Sequence, residues 1–287
     1  MDIKVIEDRI SQYSPKSKND EINAFKEIAQ EIALFGLSRA NLFKHAAFQG
    51  GTCLRIVYGL PRFSEDLDFI LFAPNQDFAW KPFFQELKLE FEAFGLNLIA
   101  TDRSTADNVI KRAFLKEDSF AQILKLSYTR NKSDIQSIKI KLEVDTTPPL
   151  GSNFEAKIID FPTPFSIVTQ DLNSLFAGKL HALLCRKFIK GRDWYDFIWY
   201  VVRKIPVNFD FLKHAIFQLG PYSGEILTID KSWLIDNLRK TVDSIDWKVA
   251  SDDVAPFITK QEQSSLQLWD KDFFMRYVDM LDQYIET

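Results

Sequence analysis

The sequence predicts an α+β chain, with strands and helices mixed over residues 1–165 and helices alone over 166–287. Three observations carry this. Residues 137–144 alternate strictly: Ile138, Ile140, Leu142 and Val144 form one face, Lys139, Lys141, Glu143 and Asp145 the other. That is the two-residue period of a strand with one face buried. Residues 67–72 form a short apolar run closed by Pro74. Beyond Pro162 and Pro164, from Asp171 onward, apolar residues recur almost everywhere at helical spacing.

The elements follow in order. Residues 20–35 read as a helix, with Ile22, Phe25, Ile28, Ala29 and Ile32 on one face and Asn19 or Asp20 as its cap. Residues 42–47 read as a second short helix. Phe48-Gln49 leads into Gly50-Gly51, and a helix covers 52–58. Gly59-Leu60-Pro61-Arg62 is a turn. A strand at 67–72 precedes a helix over 80–94 that Gly95 closes, then a strand at 96–101. The strand at 137–144 ends at Thr146-Thr147-Pro148-Pro149, and 156–161 pairs nearby. Helices are expected over 171–189, 193–203, 208–218, 231–244 and 270–286.

The composition bounds the function without selecting it. A length of 287 residues allows one large domain or two small ones. With 26 phenylalanines against 10 glycines, a helix-rich chain with an aromatic core is expected. The net charge of −4 argues against a generally basic nucleic-acid coat but leaves room for a local basic patch. Cys53 and Cys185 form no CxxC or Cys/His cluster, so neither zinc nor a disulfide framework is indicated. Cys53 reads as a small buried hydrophobe. His45, His181 and His214 are scattered and read as structural or surface residues. Met1-Asp2-Ile3-Lys4 carries no apolar signal region, and no run reaches the ~18 apolar residues of a membrane span. A cytoplasmic protein without a membrane partner is expected.

Chemistry concentrates in three places. Asp66 and Asp68 stand at i and i+2, on one side of the 67–72 strand. Two like charges there repel unless they are solvated or hold a cation. Glu143 and Asp145 repeat the pattern on a second strand, and four carboxylates on neighbouring strands suit Mg²⁺. An exposed strand edge would account for either pair alone. Gly50-Gly51-Thr52, before a helix, offers backbone N–H groups to phosphate, although a Gly-Gly pair is more often a plain turn. Lys179 falls in line with Leu172, Leu175 and Leu183, so it either snorkels or meets an anion. Arg186 and Lys190 extend that line. Residues 179–192 hold five Lys/Arg and no acid, a local anion-binding strip. Asp193 and Asp196 are one helical turn apart, where Asp193 could serve simply as an N-cap.

Together these residues resemble the AbiEii/AbiGii nucleotidyltransferase toxin family of type IV toxin–antitoxin and phage-defence (abortive infection) systems. The matching segments are Gly50-Gly51-Thr52, then Arg62-Phe63-Ser64-Glu65-Asp66-Leu67-Asp68-Phe69 and Lys141-Leu142-Glu143-Val144. Ala177-Gly178-Lys179-Leu180-His181-Ala182-Leu183 and Gly191-Arg192-Asp193-Trp194-Tyr195-Asp196 follow, with weaker similarity at Asp253-Val254-Ala255-Pro256-Phe257.

The resemblance implies a polymerase-β-like core, a mixed sheet with helices, over residues 1–165. An all-α part over 166–287 would complete the active-site cleft. It further implies Mg²⁺ at Asp66 and Asp68, with Glu143 as third carboxylate and Asp145 as the competing choice. Gly50, Gly51, Thr52, Ser64, Lys179, Arg186 and Lys190 would contact an NTP, with Lys179 and Asp193 counted among the catalytic residues beside Asp66, Asp68 and Glu143. The acceptor implied is RNA such as the tRNA 3′ end, the partner an antitoxin from an adjacent gene, and the toxin a monomer. A kinase-like phosphotransferase and a non-catalytic nucleotide- or RNA-binding regulator stay open as alternatives. On the sequence alone, Lys179→Met is expected to fold as well as the wild type.

Overall fold

The computed structural model describes residues 4–104, 109–117, 137–223, 225 and 227–286. Met1–Ile3, read above for the missing signal, lie outside that range. The chain forms two compact units. One comprises Met1–Gly59, Phe63–Pro148 and Ala156–Thr169; the other comprises Leu60–Arg62, Pro149–Glu155 and Gln170–Thr287.

The first unit is built on a mixed sheet. In chain order its described strands are β1 (Ala46–Gln49), β2 (Leu67–Leu71), β3 (Leu98–Asp102), β4 (Ile110–Glu117), β5 (Ile138–Asp145), β6 (Phe154–Ile159) and β7 (Phe165–Gln170). In space they run β3-β4-β5-β2-β1-β7-β6. β2 is parallel to β5 and antiparallel to β1, β1 is parallel to β7, and β3, β4 and β5 pair antiparallel. The alternation in β5 does what its period demands: Ile138, Ile140, Leu142 and Val144 are all buried. Leu67 and Phe69 of β2 lie on that same face, in register with Leu142 and Val144. Phe69 meets Phe43, Phe48 and Trp80, the aromatic core that the composition predicts.

Helices α1 (Lys4–Gln12), α2 (Lys18–Arg39), α3 (Gly50–Tyr58) and α4 (Phe84–Ala93) complete this unit. Ser17 caps α2, accepting from the Asp20 N–H at 3.2 Å, so the cap lies ahead of the expected Asn19 or Asp20.

Three strands depart from the sequence reading. The short helix expected at 42–47 is a 3₁₀ turn at Leu42–Lys44 followed by β1. Pairing with β2 overrides the local alanine preference for helix. β4 was hidden because its inward face carries Lys111 and Glu117 beside Ala113 and Leu115, all buried. Charges at buried positions erase the apolar period. β7 continues the sheet to Gln170, past the border expected near 165.

The second unit holds α5 (Leu172–Cys185), α6 (Gly191–Val202), α7 (Phe209–Gln218), α8 (Lys231–Ser244), α9 (Trp247–Val254), α10 (Lys260–Gln263) and α11 (Lys271–Tyr284). Asp171, Asn208, Asp230, Asp246 and Asp270 cap five of them through side-chain oxygens. Its core centres on Trp194, in contact with Phe197, Trp247 and Phe274. The helix expected over 171–189 ends at Cys185, where Arg186 turns extended at ψ 133°. Residues 186–190 then connect to α6, so Lys179, Arg186 and Lys190 do not share one helix. A side chain at Gly191 would run into the Ala250 carbonyl, and glycine there lets α6 and α9 touch. Among the described residues, no helix is long and apolar enough to cross a membrane.

Candidate active site

The sheet carries a polar row. Gln49, Asp68, Glu143 and Arg112 lie in register across β1, β2, β5 and β4. Partners in register point to the same face, so Asp68 and Glu143 project side by side from parallel strands. Asp66 comes just before β2. The Lys141 ammonium reaches Asp66 at 3.0 Å and Glu143 at 3.2 Å, bridging the two. Arg112 Nε holds the other oxygen of Glu143 at 2.6 Å.

These contacts set the charge states. Burial pushes the Glu143 carboxyl up, but Arg112 and Lys141 outweigh it and hold the group below its ordinary value. Burial works against the Lys141 ammonium, yet Asp66 and Glu143 leave its pKa raised. Asp145 stands one strand step further, in register with Ile70 and Ile110. It accepts from the Thr147 N–H at 2.9 Å, and burial pushes its carboxyl up. Glu143 thus neighbours Asp68, and Asp145 does not.

Local packing fixes this corner. Gly50 adopts φ +80°, and a Cβ on it would lie 2.5 Å from Asp68 Oδ2. Glycine satisfies both the left-handed backbone and the close approach. The start of α3 thereby comes against Asp68. Its first N–H groups have no intrahelical acceptor, and Gln49 at the N-cap makes no side-chain bond to them. Thr52 is fully buried, and its hydroxyl donates to the Asp66 carbonyl. Its side chain therefore shapes the Asp66 loop. Gln30 holds the same loop, donating to the carbonyls of Ser64 at 3.1 Å and Glu65 at 2.8 Å.

As placed, no three or more His, Cys, Asp or Glu side chains among the described residues form a cluster that could hold a metal. The donor chemistry nevertheless fits one. Asp66, Asp68 and Glu143 are hard oxygen donors on adjoining positions, the kind that bind Mg²⁺-class cations. The Lys141 ammonium supplies positive charge between two of them.

The helical unit carries the other group. Lys179 Nζ lies 2.7 Å from Asp193 and 2.9 Å from Asp196. Arg186 reaches Asp193 at 3.3 Å, and Arg62 binds Asp196. Lys179 therefore neither snorkels nor stands free; it sits between two buried carboxylates. Burial pushes the Asp193 carboxyl up, but Lys179, Arg186 and Lys190 bring it down to about 2. A carboxylate so firmly ionised is a poor proton acceptor and a good anchor for an ammonium. Asp193 lies inside α6, and the cap position belongs to Lys190.

Sequence reasoning did not assign roles to Arg62, Asp196, Lys141 or Arg112. The spacing of Asp193 and Asp196, one turn apart, and the polar face shared by Lys141 and Glu143 were the available signals.

Among curated proteins none matches the chain. Two solved structures from Helicobacter pylori, a candidate nucleotidyltransferase and JHP933, each show 18% identity and a TM-score of 0.45. Both alignments cover 88% of this chain, with 93% of the first and 90% of the second. Residues 32–276 match the model of the AbiEii toxin, a nucleotidyl transferase of type IV toxin–antitoxin systems, and the chain belongs to that family.

Proposed function

We propose that this nucleotidyltransferase uses Mg²⁺ to transfer a nucleoside monophosphate from an NTP to the 3′-terminal hydroxyl of an acceptor RNA, tRNA by family resemblance. The acceptor oxygen bonds to the α-phosphorus, the bond to the β-phosphate breaks, and pyrophosphate leaves; the hydroxyl proton passes to solvent. The observation that carries this reading is the in-register pair Asp68 and Glu143, with Asp66 beside them and the start of α3 brought against Asp68 by Gly50.

Asp66, Asp68 and Glu143 are the metal ligands in this reading, with Asp145 outside the set. A bound Mg²⁺ would supply charge neutralisation at the attacking and leaving oxygens. The N–H groups of Gly50, Gly51 and Thr52 hold phosphate oxygens, with the Ser64 hydroxyl beside them. In the helical unit, Lys179 is the cation assigned to phosphate in this reading, with Arg186 and Lys190 supporting it. Asp193 orients Lys179 through their 2.7 Å contact.

The biological reading follows the family: a cytoplasmic, monomeric toxin that arrests growth in phage defence and is countered by an antitoxin from an adjacent gene. The test is incubation with total cellular RNA and each NTP, labelled at α or γ. Label from the α position in RNA, with pyrophosphate released, supports the proposal. Label transferred only from the γ position would replace it with a kinase.

A further inference from the structure

The helical unit contains a cavity of about 320 Å³ between the end of α5 and the start of α6. Leu183, Trp194 and Ile245 line its apolar side, and Thr241 and Ser244 of α8 add hydroxyls. Residues 186–190 form its basic edge. Asp193 also lines it, so the cavity adjoins the Lys179–Asp193 ion pair.

Its charge is unbalanced. Arg186, Lys187 and Lys190 face a single carboxylate, Asp193, which Lys179 and Arg186 already engage. Lys190 makes no ion pair among the described residues, and burial lowers its pKa. A half-buried ammonium with no carboxylate at contact distance gains from an incoming anion.

The edge also presents an aromatic ring. Phe188 is 63% exposed, more than any other described phenylalanine. The Arg186 guanidinium lies 4.9 Å from its ring centroid. An exposed aromatic with an adjoining guanidinium is a stacking surface for a planar base, and lysines alongside suit the attached phosphate.

We propose that this cavity binds one nucleoside phosphate unit, its phosphate on Lys187 and Lys190 and its base stacked on Phe188. The choice of a nucleotide rests on the nucleotidyltransferase reading. The unit has two sources, the substrate NTP or the terminal nucleotide of the acceptor RNA.

The experiment is equilibrium binding to the full chain with EDTA present, which silences the metal site. The probes are a fluorescein-labelled RNA octamer and α,β-methylene ATP, each titrated against wild type, Phe188→Ala and Lys187→Gln. Phe188→Ala should weaken one probe about tenfold, the scale of one lost base stack, with an unchanged melting temperature. Lys187→Gln should weaken the same probe and lower its salt slope by about one. Loss confined to the octamer assigns the cavity to the acceptor; loss confined to the analogue assigns it to the NTP. The proposal is overturned if the wild type binds neither probe, or if neither variant changes either Kd by more than about twofold. Failure of the functional reading looks different: Asp66→Asn would keep turning over while these binding results stand.

Discussion

Arg62 and Asp196 form a buried two-point ion pair, with Nε and Nη2 each 2.6 Å from a separate carboxylate oxygen. The pair begins a chain of charges: Arg62, Asp196, Lys179, Asp193 and Arg186 alternate in sign at contact distance. Each carboxylate is shared by two cations. Buried charges are tolerated only when paired so completely, because desolvation otherwise outweighs their attraction. Asp196 is fully buried, which makes its partners structural necessities whatever else they do.

Arg62→Met should therefore be severely destabilising, by about 3–5 kcal/mol, the cost of breaking a buried two-point pair and leaving Asp196 with Lys179 alone of its two cations. Arg62→Lys should recover only part of that, since a point charge cannot reproduce the fork. Urea unfolding of the three proteins checks this. A loss below about 1 kcal/mol for Arg62→Met would show that Asp196 finds other compensation.

Lys179→Met is expected to fold less stably than the wild type, reversing the expectation from sequence. Removing the ammonium leaves Asp193 with Arg186 and Asp196 with Arg62. Each carboxylate keeps one cation, so a loss near about 3 kcal/mol, the low end for a broken buried pair, is expected. If Lys179 also serves the nucleotide, activity per folded molecule should fall by orders of magnitude below that. Measuring both on the same preparation separates the roles. Normal turnover in the folded fraction would leave the lysine purely structural.

The parts legible in the sequence were those whose chemistry repeats locally. The alternation of β5 and the carboxylate spacing of Asp66 and Asp68 announce a strand with a polar face. β1 is four residues long with two alanines, too short to establish a period. β4 buries Lys111 and Glu117, which mimics a polar loop. At the site, Glu143 and Asp145 are indistinguishable by spacing; only the pairing of β5 with β2 sets Glu143 beside Asp68. Arg62 and Asp196 are 134 residues apart, so no local pattern could join them.

Acid stability should report on Asp193. Its carboxyl is depressed to about 2 in the folded protein, against an ordinary value near ~3.9. Below both values the protonated group contributes nothing, and above both its full contribution is present. The wild type should therefore lose stability as pH falls from about 4 toward about 2. Asp193→Asn should be less stable at neutral pH but lack that part of the slope. Urea midpoints across this range give the comparison, and parallel curves would mean Asp193 is not the group responsible.

The last prediction concerns Lys141, whose ammonium stands between Asp66 and Glu143. A divalent cation on those carboxylates must tolerate or displace that charge. In the proposed metal site, Lys141→Met removes a competing cation while keeping the apolar stem. It should bind Mn²⁺ at least about tenfold more tightly, since even 1.4 kcal/mol of relieved repulsion gives that factor. The metal-free protein should meanwhile become less stable, because the ammonium that bridges Asp66 and Glu143 is then gone. Mn²⁺ binding followed by electron paramagnetic resonance, beside melting in EDTA, tests both halves without reference to activity. Weaker Mn²⁺ binding in Lys141→Met would instead mean that the lysine holds the carboxylates in place for the metal, making it a positioning residue rather than a rival cation.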